Sequence, residues 1–166
     1  SSTSLSGLNY VVSAGPSASQ TYNLSAFNLT TPTGNITVTG STNFLVSKDN
    51  STFTTSVVVP FTGSALSSTP IYTRLKAGLA IGTYSSTITH TGGGATQKDI
   101  AVSGAVIAPP PANDLCSSAT VLTVNAAAIA GVMTNASATP AIDSYIDVWY
   151  KFTPSCTSKY TITLSD

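Results

Sequence analysis

Eight short runs rich in β-branched and aromatic residues are spread over the first two thirds of the chain: Leu8–Val12, Gln20–Leu24, Asn35–Thr39, Asn43–Ser47, Ser56–Phe61, Ile71–Lys76, Tyr84–Thr89 and Asp99–Val106. Each has the length of one strand. Turn chemistry separates them: Gly15-Pro16, Pro32-Thr33-Gly34, Lys48-Asp49-Asn50, Ser67-Ser68-Thr69-Pro70, Gly78 to Gly82 and Gly92-Gly93-Gly94. Seven or eight short strands in about a hundred residues, separated by turns, predict an all-β sandwich of two packed sheets. Alternation within the runs assigns their faces. In Ile71–Lys76, Ile71 and Leu75 are expected in the core, with Tyr72, Arg74 and Lys76 towards water. In Asp99–Val106, Ile100, Val102 and Val106 share the apolar side.

Composition points the same way. Charged residues make up 7% of the chain, Glu is absent, and Ser and Thr fill 52 of the 166 positions. Long helices normally solvate one face with Glu, Lys, Arg and Gln, whereas Thr suits strands and Ser suits turns. The formal net charge is zero and neither sign is concentrated anywhere. A nucleic-acid partner, which would require a basic footprint, is therefore not expected. Nor is a membrane span: the longest apolar stretch, Val121 to Val132, is interrupted by Thr123, Asn125 and Gly131. The opening Ser1-Ser2-Thr3-Ser4 suggests a processed or excised piece of a longer product.

The clearest boundary is Ala108-Pro109-Pro110-Pro111-Ala112-Asn113-Asp114. Consecutive prolines fix φ and donate no backbone hydrogen bond, so this stretch is expected to be a spacer and not a strand. The predicted organisation is a sandwich over 1–107, a proline-rich linker over 108–114 and a second β module over 115–166. In that module Ala119–Val124, Ala128–Thr134, Asp147–Thr153 and Tyr160–Ser165 are the expected strands. About fifty residues is small for a sandwich, and four strands leave open edges and an exposed apolar face. The second module is therefore expected to be incomplete, finished by further residues of a parent chain or by a neighbouring subunit.

Two stretches resemble known modules. Ile71–Leu79, followed by Gly82–His90 and a glycine-rich turn, looks like the immunoglobulin-like repeat of large secreted and surface proteins of Bacteroidetes. That resemblance covers residues 5–107. Pro111–Cys116 together with Asp147–Thr153 (Asp-Val-Trp-Tyr-Lys-Phe-Thr) is similar to the opening half of a second β-sandwich module in the same proteins, many of them exported by the type IX route. The resemblance implies an extracellular or cell-surface location. It also implies a structural or adhesive role, as in adhesins, gliding or filament components, or accessory modules beside hydrolases. Gly82-Thr83-Tyr84 resembles a tyrosine corner, in which the Tyr84 hydroxyl bonds backbone a few residues upstream.

Chemistry for catalysis is sparse. His90 is the only histidine, is read as a surface residue at a turn, and lacks a Gly-x-Ser-x-Gly elbow. Asp143 and Asp147 would lie about 13 Å apart on one strand face, wide of the separation glycosidases use, and Asp49, Asp99 and Asp114 are scattered. Three soft ligands, Cys116, Cys156 and His90, in different modules argue against zinc. No catalytic role and no required cofactor are expected. Asp114 and Asp147 are the candidate Ca²⁺ ligands, against a plain reading as turn-capping carboxylates. Cys116 and Cys156 both follow the spacer and are expected to form a disulfide in an oxidising compartment. Trp149, Tyr150 and Phe152 are candidate ligand or subunit contacts; alternation sets Tyr150 and Phe152 on one face and Trp149 on the other, one of which must be core. Five Asn-x-Ser/Thr triplets, at Asn23, Asn28, Asn35, Asn50 and Asn135, fit chance in so hydroxyl-rich a chain. The expected partners are other modules of the same protein or identical subunits. The alternative is a carbohydrate-binding accessory module that recognises surface glycans.

Overall fold

The computed structural model describes residues 4–138, 146–157 and 159–164. The chain is all-β and divides into two compact units, Ser1–Ala108 and Pro109–Asp166. In the first unit nine strands form two sheets. They are β1 (Ser4–Leu5), β2 (Tyr10–Val11), β3 (Gln20–Ala26), β4 (Thr33–Thr39), β5 (Phe44–Ser47), β6 (Ser56–Thr62), β7 (Leu66–Leu75), β8 (Gly82–Gly92) and β9 (Ala95–Ile107). One sheet has the order β1-β9-β8-β4-β6, with β2 also on β9; the other has the order β3-β7-β5. Pairing is antiparallel throughout except at β9, where β1 and β2 run parallel to it. The chain leaves the first sheet after β4, forms β5 in the second, returns as β6 and crosses again as β7.

The core lies between the sheets and is set by the pleat. Ile36 and Val38 of β4, Val59 and Phe61 of β6, Ile88 of β8, and Val102 and Val106 of β9 meet Tyr22 of β3, Phe44 and Val46 of β5, and Ile71 and Leu75 of β7. Every pair within one strand is separated by two or four positions, the period that keeps side chains on one face. Fully burying such side chains contributes roughly 1.5–3 kcal/mol each. Leu8, between β1 and β2, closes the gap at β9, and a Cβ at Gly104 would collide with the Leu8 backbone. Glycine is therefore needed in the middle of β9.

The expected faces of β7 and β9 are found. Ile71 and Leu75 are wholly buried, Val102 and Val106 nearly so, and Ile100 packs partly against the core. Tyr72, Arg74 and Lys76, expected towards water, are half-buried, Arg74 by lying over the Phe53 ring at 3.9 Å. The Tyr84 hydroxyl donates to Ala80 O at 2.8 Å, four residues upstream.

Two expected turns are strand instead. Ser67–Pro70 belongs to β7, and Thr33–Gly34 opens β4. Pro70 is tolerated because it pairs with Asn23 on one side, while on the other β5 has already ended opposite Tyr72. Its missing N–H therefore breaks no ladder bond.

The second unit is built differently. A 3₁₀ turn at Cys116–Ser118 precedes β10 (Thr120–Val121), which pairs in parallel with β11 (Tyr150–Lys151). Two residues of pairing replace each of the expected strands Ala119–Val124 and Asp147–Thr153, and Ala128–Thr134 forms none. Of Tyr160–Ser165, the described part, 160–164, is not strand either, and Ser165 lies outside the described residues. The physical reason is backbone pairing. A β-favouring segment becomes a strand only where a neighbour accepts its N–H and C=O groups.

Because the first unit holds its own two-sheet core, a chain ending at Ala108 should fold independently. A single cooperative thermal transition by circular dichroism is the expected result; a non-cooperative melt would show that the core depends on residues beyond 108.

Candidate functional site

His90, expected on the surface at a turn, is only 6% exposed and sits within β8, opposite Val38 on one side and Lys98 on the other. The correction follows from strand length: β8 continues to Gly92, so position 90 keeps the inward parity of Ile88. Its Nδ1 lies 2.9 Å from Lys98 O, which can only accept, so in the neutral imidazole the proton is on Nδ1. Nε2 is then left to accept the Tyr22 hydroxyl at 2.7 Å, from the opposite sheet. The rings meet edge to face at 5.5 Å. Burial pushes the Tyr22 phenol well above its ordinary value of 10.0, which keeps it a donor. Both ring nitrogens of His90 are thus occupied, Nε2 by a link to the opposite sheet and Nδ1 by the neighbouring strand β9. Two residues 68 positions apart carry no sequence signal for this pairing.

The carboxylates near the turns are used locally. Asp49 Oδ1 accepts the Ser47 hydroxyl at 2.7 Å and the N–H groups of Ser51 and Thr52 at 2.9 and 2.8 Å. The Ser47 bond and these two N–H bonds hold its carboxyl well below the usual range. Asp99 accepts from Gln97.

In the second unit Asn113 and Asp114 are buried and organise the chain around them. Asn113 exchanges bonds with Trp149, taking its N–H at 2.8 Å on the backbone and giving its side-chain amide to Trp149 O at 3.0 Å. Asp114 accepts the Ser137 N–H and hydroxyl on its two oxygens, at 2.6 and 2.8 Å, and Asp147 N donates to Ser137 O. Ser137 thus bonds the Asp114 carboxylate on one side and the Asp147 backbone on the other, and the Asp114 oxygens already hold protein donors. Among the described residues no group of three His, Cys or acidic side chains could hold a metal. Asp143 lies outside the described residues.

Trp149 is half-buried, with its indole nitrogen shielded and without a partner among the described residues, while Tyr150 and Phe152 face outward at 37% exposure. Phe152 packs against Tyr160 at 5.5 Å. The thiols of Cys116 and Cys156 are exposed and not bonded to one another, so the expected disulfide is not formed in this structure. Cys156 Sγ stands 3.6 Å from the Tyr160 hydroxyl.

No protein-family model matches this chain, and no curated protein matches it. What distinguishes the second unit is its surface. Ala119 and Ala136 are its only buried apolar residues among those described, whereas Leu115, Val121, Ile129, Val132, Ile162 and Leu164 are all more than half exposed. Leu164 reaches 93%. Exposed large apolar side chains concentrated in this way make it the candidate interaction surface. The candidate contacts Tyr150 and Phe152 are also exposed, and Ile162 and Leu164, expected only as part of a strand, were not among the candidates. Nor was Phe27, 74% exposed beside the end of β3, because a lone aromatic in a polar loop gives no pattern. Among the described residues no helix is long and apolar enough to cross a membrane.

Tyr22→Phe should lower stability by about 1–3 kcal/mol, because it leaves a buried His90 nitrogen unpaired. The same residue sets an alkaline limit. The unfolded chain loses the phenol proton near pH 10 while the folded chain keeps it, so stability is complete below that pH and falls as pH rises beyond it. Denaturant melts of wild type and Tyr22→Phe from pH 8 to 11 should show the decline in the first and a shallower one in the second.

Proposed function

We propose that this chain is a non-catalytic structural or adhesive module of a bacterial extracellular surface protein or filament. The observation carrying this reading is the contrast between the two units: one encloses its apolar residues between two sheets, the other exposes most of its own among those described. A short unit with so many exposed apolar side chains gains most by association with another protein surface. The resemblance of residues 5–107 to immunoglobulin-like repeats, and of Pro111–Cys116 with Asp147–Thr153 to a second sandwich module, supports placing it among secreted proteins of the Bacteroidetes type. His90, committed to Tyr22 and Lys98, is not poised as a base, which supports a non-catalytic role.

Carbohydrate binding is the less supported reading. Sugar recognition would need Trp149 presented as a flat platform, and its indole edge is shielded. On the surface reading, export through an oxidising compartment closes Cys116–Cys156, whose exposed thiols are open to oxidant.

The full chain should form concentration-dependent oligomers in sedimentation velocity and regular assemblies under the electron microscope, while residues 1–108 alone remain monomeric. A full chain that stays monomeric, yet binds a glycan in an array through Trp149, would replace this reading with the accessory-module one. For the disulfide, intact mass of secreted protein before and after reduction is the check; unchanged mass would remove it.

A further inference from the structure

Strand addition needs an open edge and an unpaired strand, and this chain holds both. Most edges of the first unit are closed. β5 exchanges both backbone bonds with Thr54 through Val46. β6 carries Pro60, and its Val58 carbonyl accepts Lys48 Nζ at 2.8 Å. β9 is covered by β1 and β2 over part of its length and bears Lys98 and Asp99 on the remainder. Proline, lysine and very short edge strands are the devices that prevent edge-to-edge pairing.

β3 has no charge and no proline, and is regularly paired to β7 from Gln20 to Leu24, with a bulge only beyond. Asn23 stands opposite Pro70, which has no N–H, so this is a non-hydrogen-bonded pair. Thr21 and Asn23 consequently turn their N–H and C=O groups away from β7, and no backbone partner meets them among the described residues.

The unpaired strand is Tyr160-Thr161-Ile162-Thr163-Leu164. Its residues alternate apolar and hydroxyl with the strand period, yet among the described residues no strand pairs with it, and Ile162 is 64% exposed. Five residues match the five regular positions of β3.

Resting on the assembly reading above, we propose that residues 160–164 of one copy add to the β3 edge of a second copy as an antiparallel strand. Thr163 then pairs with Thr21, and Thr161 with Asn23, each exchanging two backbone bonds. Leu164, Ile162 and Tyr160 fall beside Gln20, Tyr22 and Leu24 on the inward side, where Leu24 is only partly covered by its own core. Donor and acceptor are different surfaces of the same chain, so the contact is head-to-tail and generates an open fibre.

Two proline variants of the full chain test the pairing. Asn23→Pro removes an outward N–H of the acceptor without touching a β7 bond, and Thr163→Pro removes one from the donor. Each alone is expected to stay monomeric in sedimentation velocity where wild type assembles, and an equimolar mixture of the two should stop at dimers. Wild type that never assembles overturns the assembly reading and this pairing with it. Wild type that assembles together with both variants overturns the pairing alone. Should Asn23→Pro lose its thermal transition, Thr21→Cys with Thr163→Cys in a Cys116→Ser, Cys156→Ser chain decides the matter. Oxidation is expected to give a ladder of intermolecularly linked chains; no linkage, or linkage within one chain, rejects the proposal.

Discussion

The parity of the pleat governs the first unit. Between its sheets Val38, Phe44, Val46, Ile71, Leu75 and Ile88 lose all contact with water, and each does so because its strand places every second residue inward. A slip of one position in any ladder would expose that whole set. The same parity carries hydroxyls into the interior of this Ser- and Thr-rich chain, and there each finds an acceptor or donor. Thr73 donates to Leu45 O, Ser47 to Asp49, and Ser17 accepts from Leu75 N. A buried hydroxyl without a partner would be costly. With one, it fixes register, because only one alignment of β5 against β7 brings Thr73 to Leu45.

The link between Tyr22 and His90 adds direction to an otherwise non-directional core. Apolar packing tolerates small rotations of one sheet over the other, whereas a 2.7 Å hydrogen bond joining the sheets, held at its far end by Lys98 O, does not. In the second unit the proportions are reversed. There the chain is organised by polar bonds of Asn113, Asp114 and Ser137, with two small alanines in place of a core. Hydrogen bonds exchanged for those with water contribute little net stability, so such a unit has little to hold its apolar side chains inside.

The sequence made the all-β class legible through alternation and turn chemistry, and the inward faces of β7 and β9 were correct residue by residue. It misled where a local signal was overridden by pairing. Ser67–Pro70 reads as a turn, yet β3 lies alongside it, and the long β7 results. Tyr160–Ser165 reads as a strand, yet among the described residues no strand lies alongside 160–164. Both failures have one cause: the sequence records what a segment prefers, not which neighbour reaches it. The candidate site was visible in part for the same reason. Asp-Val-Trp-Tyr-Lys-Phe announces an aromatic strand, and Tyr150 and Phe152 do face outward, but His90 showed only as a residue before three glycines. Its inward position depends on β8 running three residues beyond Thr89.

How the chain spends its few charges bears on what its surfaces are for. With six Lys and Arg in 166 residues, it cannot guard every edge, and repulsion between copies is absent at zero net charge. Lys48 and Lys98 nonetheless stand at β6 and β9. Chains that must remain monomeric blunt all their edges, since one unguarded strand suffices for association. Here guarding is selective, and the edge left bare, β3, has Phe27 exposed at its end. On the assembly proposed above, a first unit with most of its edges guarded would direct strand addition to the one left bare, and direction is what separates an ordered fibre from an aggregate. The scarcity of charge, which first pointed to strands over helices, would on that proposal also leave the location of the remaining charges as the main control over how copies meet.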